Sequence, residues 1–201
     1  MKLLGTNLSY LLLAFGFGST IGIFYAIATV MGTTTNDLNY TTEDAGTLGM
    51  IITLVGLLGA IMFGYLADLL KTKHKPLLLI GLFGTFISII WFTLVCKPDN
   101  FAMLAASCAF YGYFTTAIIP ISMDLSVELT FPDVSEIVAS TVPFIVAQIV
   151  GMVLIIIAGM IPQTKEVGIY MLWAMSGLEG FMCILCLMLK SKYNRLEREK
   201  N

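Results

Sequence analysis

Long uncharged apolar runs alternate with short polar connections along this chain. A helix needs about 20 apolar residues to cross a bilayer core, and six runs reach that length. They span residues 8–31, 47–67, 76–96, 101–123, 137–161 and 167–189. The pattern predicts an all-α polytopic membrane protein, with a six-helix transmembrane domain over residues 1–190 and a charged cytosolic tail over 191–201.

Composition supports a membrane protein and argues against several other classes. The 201 residues are 58% hydrophobic and 12% charged, whereas an ordinary soluble domain is about 25% charged. The net charge is -2 and the basic residues form no stripe, so no nucleic-acid partner is expected. No nucleophile–base arrangement, phosphate loop or paired set of metal ligands is visible. The sequence therefore predicts a protein that is not an enzyme and has no catalytic residues, metal site or cofactor.

The basic residues predict how the helices are oriented. Cytoplasmic loops of membrane proteins are enriched in lysine and arginine. With the amino terminus inside, nine of the eleven basic residues are cytoplasmic, at position 2, within 71–75 and within 190–200. We therefore expect a multi-pass protein of the plasma membrane or an endomembrane, with both termini in the cytosol.

The loop after the second run combines a carboxylate with cations. It contains Gly64 and Asp68, followed by Lys71, Lys73 and Lys75. This stretch resembles the loop motif of the major facilitator superfamily, although Leu69 replaces an expected cation and Lys71 an expected glycine. The resemblance implies that Asp68 anchors an inward gate, and the alternative is a solvated loop that only sets topology.

An acidic segment lies on the same predicted side. Asp124, Glu128 and Glu136 form a nearly cation-free region between the fourth and fifth runs. We hypothesise that these carboxylates pair with the lysines of the loop at 71–75 and form a lock that breaks on gating. Solvated helix ends are the alternative.

Three motifs resemble one transporter family in the correct order. The pattern from Pro120 to Pro132, with Glu136 after it, resembles a segment of the feline leukemia virus subgroup C receptor-related transporters, solute carrier family 49. Gly22-Ile23-Phe24-Tyr25-Ala26 and Asp44-Ala45-Gly46-Thr47-Leu48-Gly49 resemble two others. The resemblance implies the carboxy-terminal half of a major facilitator fold, which transports choline, ethanolamine or heme by alternating access.

The same resemblance implies substrate-binding residues. Tyr25 matches an aromatic residue of the family's central cavity, and Gln148 matches a cavity glutamine. Aromatic faces suit a quaternary ammonium, which cannot donate hydrogen bonds. Thr29 shares a helix face with Tyr25 because it lies four residues further along. The alternatives are plain packing for Tyr25 and an interhelical hydrogen bond for Gln148.

Glu179 interrupts the sixth run, where a charge costs at least about 2.5–3.5 kcal/mol. We expect a protonated or hydrogen-bonded structural carboxylate, and a proton-coupling site is the alternative.

The expected partners are the lipid bilayer, a small-molecule substrate and a second six-helix half. That half is either another copy of this chain or a separate chain. Two further hypotheses are that the sequence is part of a longer facilitator, or that it is a non-transporting regulator of a full-length relative.

Overall fold

The computed structural model describes residues 7–36, 38, 40–70, 74–160 and 164–189, and over these residues it consists of six helices. They are α1 (Leu8–Asn36), α2 (Thr42–Leu69), α3 (His74–Val95), α4 (Phe101–Thr130), α5 (Glu136–Met160) and α6 (Lys165–Leu187). All six are long and apolar enough to cross a membrane. The predicted all-α membrane fold is confirmed, and the tail at 191–201 lies outside the described residues.

Helices α2 and α4 both extend beyond the apolar runs. At the start of α2, Thr41 Oγ1 accepts a hydrogen bond from Asp44 N at 3.1 Å, and Asp44 Oδ2 accepts one from Thr41 N at 2.8 Å. This reciprocal capping box starts the helix before its apolar run begins. The 30 residues of α4 are about 45 Å long, more than the hydrocarbon core is thick. The helix therefore continues past its apolar run and includes Asp124 and Glu128.

Helices α1 and α4 form the centre of the bundle and contact each other directly. Helix α5 packs on α1, and α2 packs in the corresponding way on α4. Helices α3 and α6 contact each other and pack on α4 and α1, respectively. Exchanging α1–α3 with α4–α6 preserves this pattern, so the two halves of the chain are arranged as structural repeats.

Glycine permits close helix crossings at two places in the bundle. A Cβ atom at Gly22 of α1 would lie 2.8 Å from Gly151 N of α5, closer than real contacts allow. At the matching crossing, Gly59 of α2 lies against the Tyr113 backbone of α4, and Thr116 Oγ1 donates to the Gly56 carbonyl. Small residues at helix interfaces allow this close approach of backbones in a membrane.

The helices differ in how much of their surface the bundle covers. In its most apolar stretch, 67% of α1 is buried, against 28% for α2 and 22% for α5. The exposed side chains include Leu54, Leu58 and Ile61 on α2 and Ile149 and Met152 on α5. These two helices therefore present apolar faces that only lipid or another protein surface can cover.

Candidate functional site

The crossing of α1 and α5 brings together two of the predicted binding residues. Gln148 Nε2 donates to the Tyr25 hydroxyl across 3.5 Å, at the long limit for a hydrogen bond. The backbones are close because Gly22 faces Gly151, and a Cβ atom at Gly151 would lie 3.0 Å from Tyr25 Cδ2. Such a long contact leaves both polar groups able to bind a ligand.

Tyr25 and Gln148 line an open groove of about 480 Å³. The other lining residues are Ala28, Gly151, Met152, Ile155 and Ile156. None of these side chains carries a charge, so the lining described by the structure offers one aromatic ring, one amide and apolar groups. Such a surface suits a small ligand that is recognised through an aromatic face and one or two hydrogen bonds.

The Tyr25 ring is supported from behind by other aromatic side chains. The Phe24 ring lies edge-on to Tyr25 with 5.9 Å between ring centroids, and it stacks on Tyr111 of α4 at 6.1 Å. Tyr111 is itself buried. The rings thus connect the groove to the central pair of helices and restrict the positions open to Tyr25.

Thr29 is placed differently from the other two predicted binding residues. Its Oγ1 donates to the Tyr25 main-chain carbonyl at 3.2 Å, within the same helix. Thr29 is exposed but is not among the residues that line the groove. Its hydroxyl is therefore satisfied locally, as is common for threonine in helices.

The predicted gating residues are spread over several helix ends. Asp68, Asp124 and Glu136 are exposed, whereas Glu128 is buried. Lys75 Nζ donates to the Leu187 carbonyl at the end of α6, at 3.1 Å. Lys71 and Lys73 lie outside the described residues. The lock between these groups stays a prediction.

Sequence reasoning missed most of the groove on α5. Gly151, Met152 and Ile155 lie three, four and seven residues after Gln148, which places them on one helix face. Helical periodicity counted from Gln148 could have found them. It could not have shown that this face meets Tyr25, because that depends on the Gly22–Gly151 crossing.

These features define a class of protein: a multi-pass α-helical membrane protein with two repeated three-helix units and an open, uncharged groove on one face. The homologues of the chain are major-facilitator-type transporters, including members of solute carrier family 49, so the resemblance seen in the sequence is confirmed. Inverted three-helix repeats occur within each half of such transporters. No family model matches the chain.

Three relatives illustrate the similarity. The human choline/ethanolamine transporter FLVCR2 is 30% identical over 77% of this chain and 29% of its own length. Solute carrier family 49 member A3 of Xenopus tropicalis is 29% identical over 98% of this chain and 44% of its own length. The uncharacterized MFS-type transporter C09D4.1 of Caenorhabditis elegans is 28% identical over 66% of this chain and 22% of its own length. The chain thus spans less than half of each of these relatives.

Proposed function

We propose that this chain takes part in transmembrane transport of a small organic cation, and that Tyr25 and Gln148 form one wall of the substrate site. The observation that carries this proposal is the uncharged groove in which the tyrosine ring and the amide lie side by side. The relatives support it, because FLVCR2 is a choline/ethanolamine transporter by name. Thr29 contributes little to the site, since its hydroxyl is bonded within α1.

The chemistry of the groove favours a choline- or ethanolamine-like cation over heme. A trimethylammonium group offers no N–H donor, and an aromatic face attracts it by about 0.5–2 kcal/mol. The Gln148 amide and the Tyr25 hydroxyl can bind the alcohol or primary ammonium of such a solute. Heme carries propionate groups, and the described lining has no cation to pair with them.

A second six-helix unit completes the substrate site in this proposal. The groove is open, and the exposed apolar faces of α2 and α5 adjoin the central helices. Major facilitators place the substrate between two six-helix halves and alternate access by rocking one half against the other. The partner is a second copy of this chain or a separately encoded half.

The gate in this proposal lies at the end of the bundle that carries Lys75. Asp68, Asp124, Glu128 and Glu136 supply the carboxylates, and Lys71, Lys73 and Lys75 supply the cations. We place this end in the cytosol, on the basis of the positive charges alone. The Lys75–Leu187 contact supports a role for Lys75 at the end of α6.

The gate can be tested by charge reversal. Glu128→Lys should lower uptake of labelled choline because it places like charges together, and adding Lys75→Glu should restore part of it. Asp133→Lys is the matched control, because Asp133 is exposed and belongs to the same acidic segment. If Lys75→Glu and the corresponding reversals at Lys71 and Lys73 all fail to rescue uptake, the lock is wrong.

Transport itself is tested with the full chain in proteoliposomes. The expected result is saturable uptake of labelled choline whose apparent affinity Tyr25→Ala lowers, together with a chemically cross-linked species of two chains. Uptake equal to empty vesicles, by a chain shown to be paired, would contradict transport by the self-paired chain. Altered choline uptake by a co-expressed full-length relative would then favour the regulatory alternative.

A further inference from the structure

A second polar site lies on the rear of α1, away from the groove. Glu179 of α6 is fully buried, and its Oε1 lies 2.8 Å from Thr20 Oγ1 of α1. The same Thr20 oxygen lies 3.0 Å from the Gly16 carbonyl, one turn earlier in α1. Thr20 is fully buried as well. A single hydroxyl therefore makes both contacts in the interior of the bundle.

The single hydrogen of the Thr20 hydroxyl indicates that Glu179 carries a proton. The Thr20 hydroxyl carries one hydrogen and cannot donate to Glu179 and Gly16 together. If Glu179 is protonated, its O–H donates to Thr20 Oγ1, and the Thr20 hydroxyl donates to the Gly16 carbonyl. Both short distances are then hydrogen bonds. An ionised Glu179 would take the only hydrogen of Thr20 and leave the threonine without its bond to Gly16.

The surroundings of Glu179 do not stabilise a negative charge. Tyr111 of α4 and Cys183 and Cys186 of α6 interact electrostatically with Glu179, and each of these side chains is an uncharged weak acid that supplies no positive charge. The titratable residues of α1 are Tyr10, which donates to Ala139 of α5, and Tyr25 in the groove.

Helix α3 also supplies no counter-ion to Glu179. Its surface beside Gly180, the next residue of α6, is the Phe86 ring. His74 and Lys75 lie in the first turn of α3, and Lys75 reaches Leu187 at the end of α6. In the part of the chain that the structure describes, no cationic side chain pairs with Glu179. A neutral carboxyl is what such a membrane interior favours.

The site also contains a polar atom that is not satisfied. Glu179 Oε2 is buried and has no hydrogen-bond partner in the described structure. Buried polar atoms without partners are rare in proteins and indicate a bound water, ion or functional role. Glu179 Oε2 can therefore accept a hydrogen bond from a further donor.

We propose that Glu179 and Thr20 form a proton-binding site at the rear of the helix that carries Tyr25. When Glu179 holds the proton, the hydrogen-bond chain ties α6 to α1. When the proton leaves, a negative charge appears between these helices, and the hydrogen bonds among Glu179, Thr20 and Gly16 change. Because α1 presents Thr20 behind and Tyr25 in front, protonation of Glu179 changes the substrate wall. This last step rests on the proposed function, whereas proton binding does not.

Infrared spectroscopy tests proton binding without any substrate. At pH 7, the carbonyl stretch of a protonated carboxylic acid should be present in the lipid-reconstituted chain and absent after Glu179→Gln. Thr20→Val should shift this band because it removes the hydrogen-bond acceptor. The band should titrate as a single group with rising pH. Thermal stability should fall as the pH approaches that range and level off beyond it, because the unfolded chain releases the same proton at a lower pH.

Two results would overturn this site. The first is a difference spectrum that shows ionised Glu179 at pH 7. The second is loss of the protonated band on addition of sodium ions at constant pH, which would mean that the ligand is a metal cation. If Glu179→Gln does not fold, pH titration of the band in the wild-type chain and in Thr20→Val decides the same question.

The link to the substrate is tested with choline as the probe. Choline affinity of the wild-type chain should change by about fivefold or more across the range in which the infrared band titrates, a usual size for coupled sites. In Glu179→Gln the affinity should be the same at every pH. An equal pH dependence in both proteins would overturn the link. A normal infrared result with no choline binding at all would instead count against the proposed function.

Discussion

The two polar sites on α1 differ in almost every physical respect. In front, Tyr25 and Gln148 are separated by 3.5 Å in an open groove whose described lining carries no charge. Behind, Thr20 and Glu179 are separated by 2.8 Å in a closed interior that contains an ionisable acid. The front site has free polar capacity for a ligand from outside, whereas the rear site holds its partner tightly. One helix thus separates a surface suited to a solute from a core suited to a proton.

The largest expected effect comes from separating the two sides of the groove. Gly22→Ala places a methyl group against the Gly151 backbone and should cost about 1–3 kcal/mol of stability. Choline binding should fall with it, because Tyr25 and Gln148 move apart. Thermal unfolding in detergent and choline binding measure the two effects.

Gly159→Ala is the control for this variant. Gly159 lies on α5 with open space around it, so an added methyl group should cost nothing. Equal destabilisation by both variants would mean that the close crossing is not what positions the groove.

The next effect concerns the aromatic face at the front site. Tyr25→Ala should weaken choline binding by about 2- to 30-fold, which corresponds to a cation–π energy of about 0.5–2 kcal/mol. Tyr25→Phe keeps the ring and should bind choline nearly as well as the wild type. Equilibrium binding of labelled choline distinguishes them, and an equal loss in both would rule out recognition through the ring.

A smaller effect is expected at the amide. Gln148→Ala should weaken ethanolamine binding more than choline binding, because a primary ammonium can donate to the amide oxygen. A hydrogen bond of this kind in a membrane is worth about 0.6 kcal/mol, or roughly a threefold change in affinity. Ile149→Ala is the control, since Ile149 is exposed beside Gln148 but does not line the groove. The same loss for both solutes would indicate a packing role.

The smallest effect is expected at Thr29. Thr29→Val removes a hydroxyl that donates to the Tyr25 carbonyl within α1, so choline affinity should change by less than about twofold. A larger loss in the same binding assay would show that Thr29 contacts the solute and would extend the front site along α1.

Apolar length alone predicted the six helices, because the bilayer fixes how many residues a spanning helix needs. The count of apolar residues underestimated the lengths of α2 and α4, which continue through polar segments. The start of α2 depends on the Thr41–Asp44 capping box, and α4 includes Asp124 and Glu128. A count of apolar residues registers neither the capping hydrogen bonds at the start of α2 nor the polar residues that α4 includes.

The candidate site was predictable in part. A family motif singled out Tyr25 and Gln148, and the structure puts them in contact. The α5 residues around Gln148 and the pairing of Glu179 with Thr20 were not foreseen, because each depends on which helix faces which. A single sequence shows which residues share one face of a helix, but it does not show which other helix that face contacts.

The most direct measurement compares choline with its uncharged isostere 3,3-dimethyl-1-butanol in equilibrium binding to the lipid-reconstituted full chain. The two molecules have nearly the same shape, and only choline is a cation. If Tyr25 recognises a cation through its ring, choline should bind about 2- to 30-fold more tightly, and Tyr25→Leu should abolish the difference. Equal binding of both molecules to the wild-type chain would contradict the account.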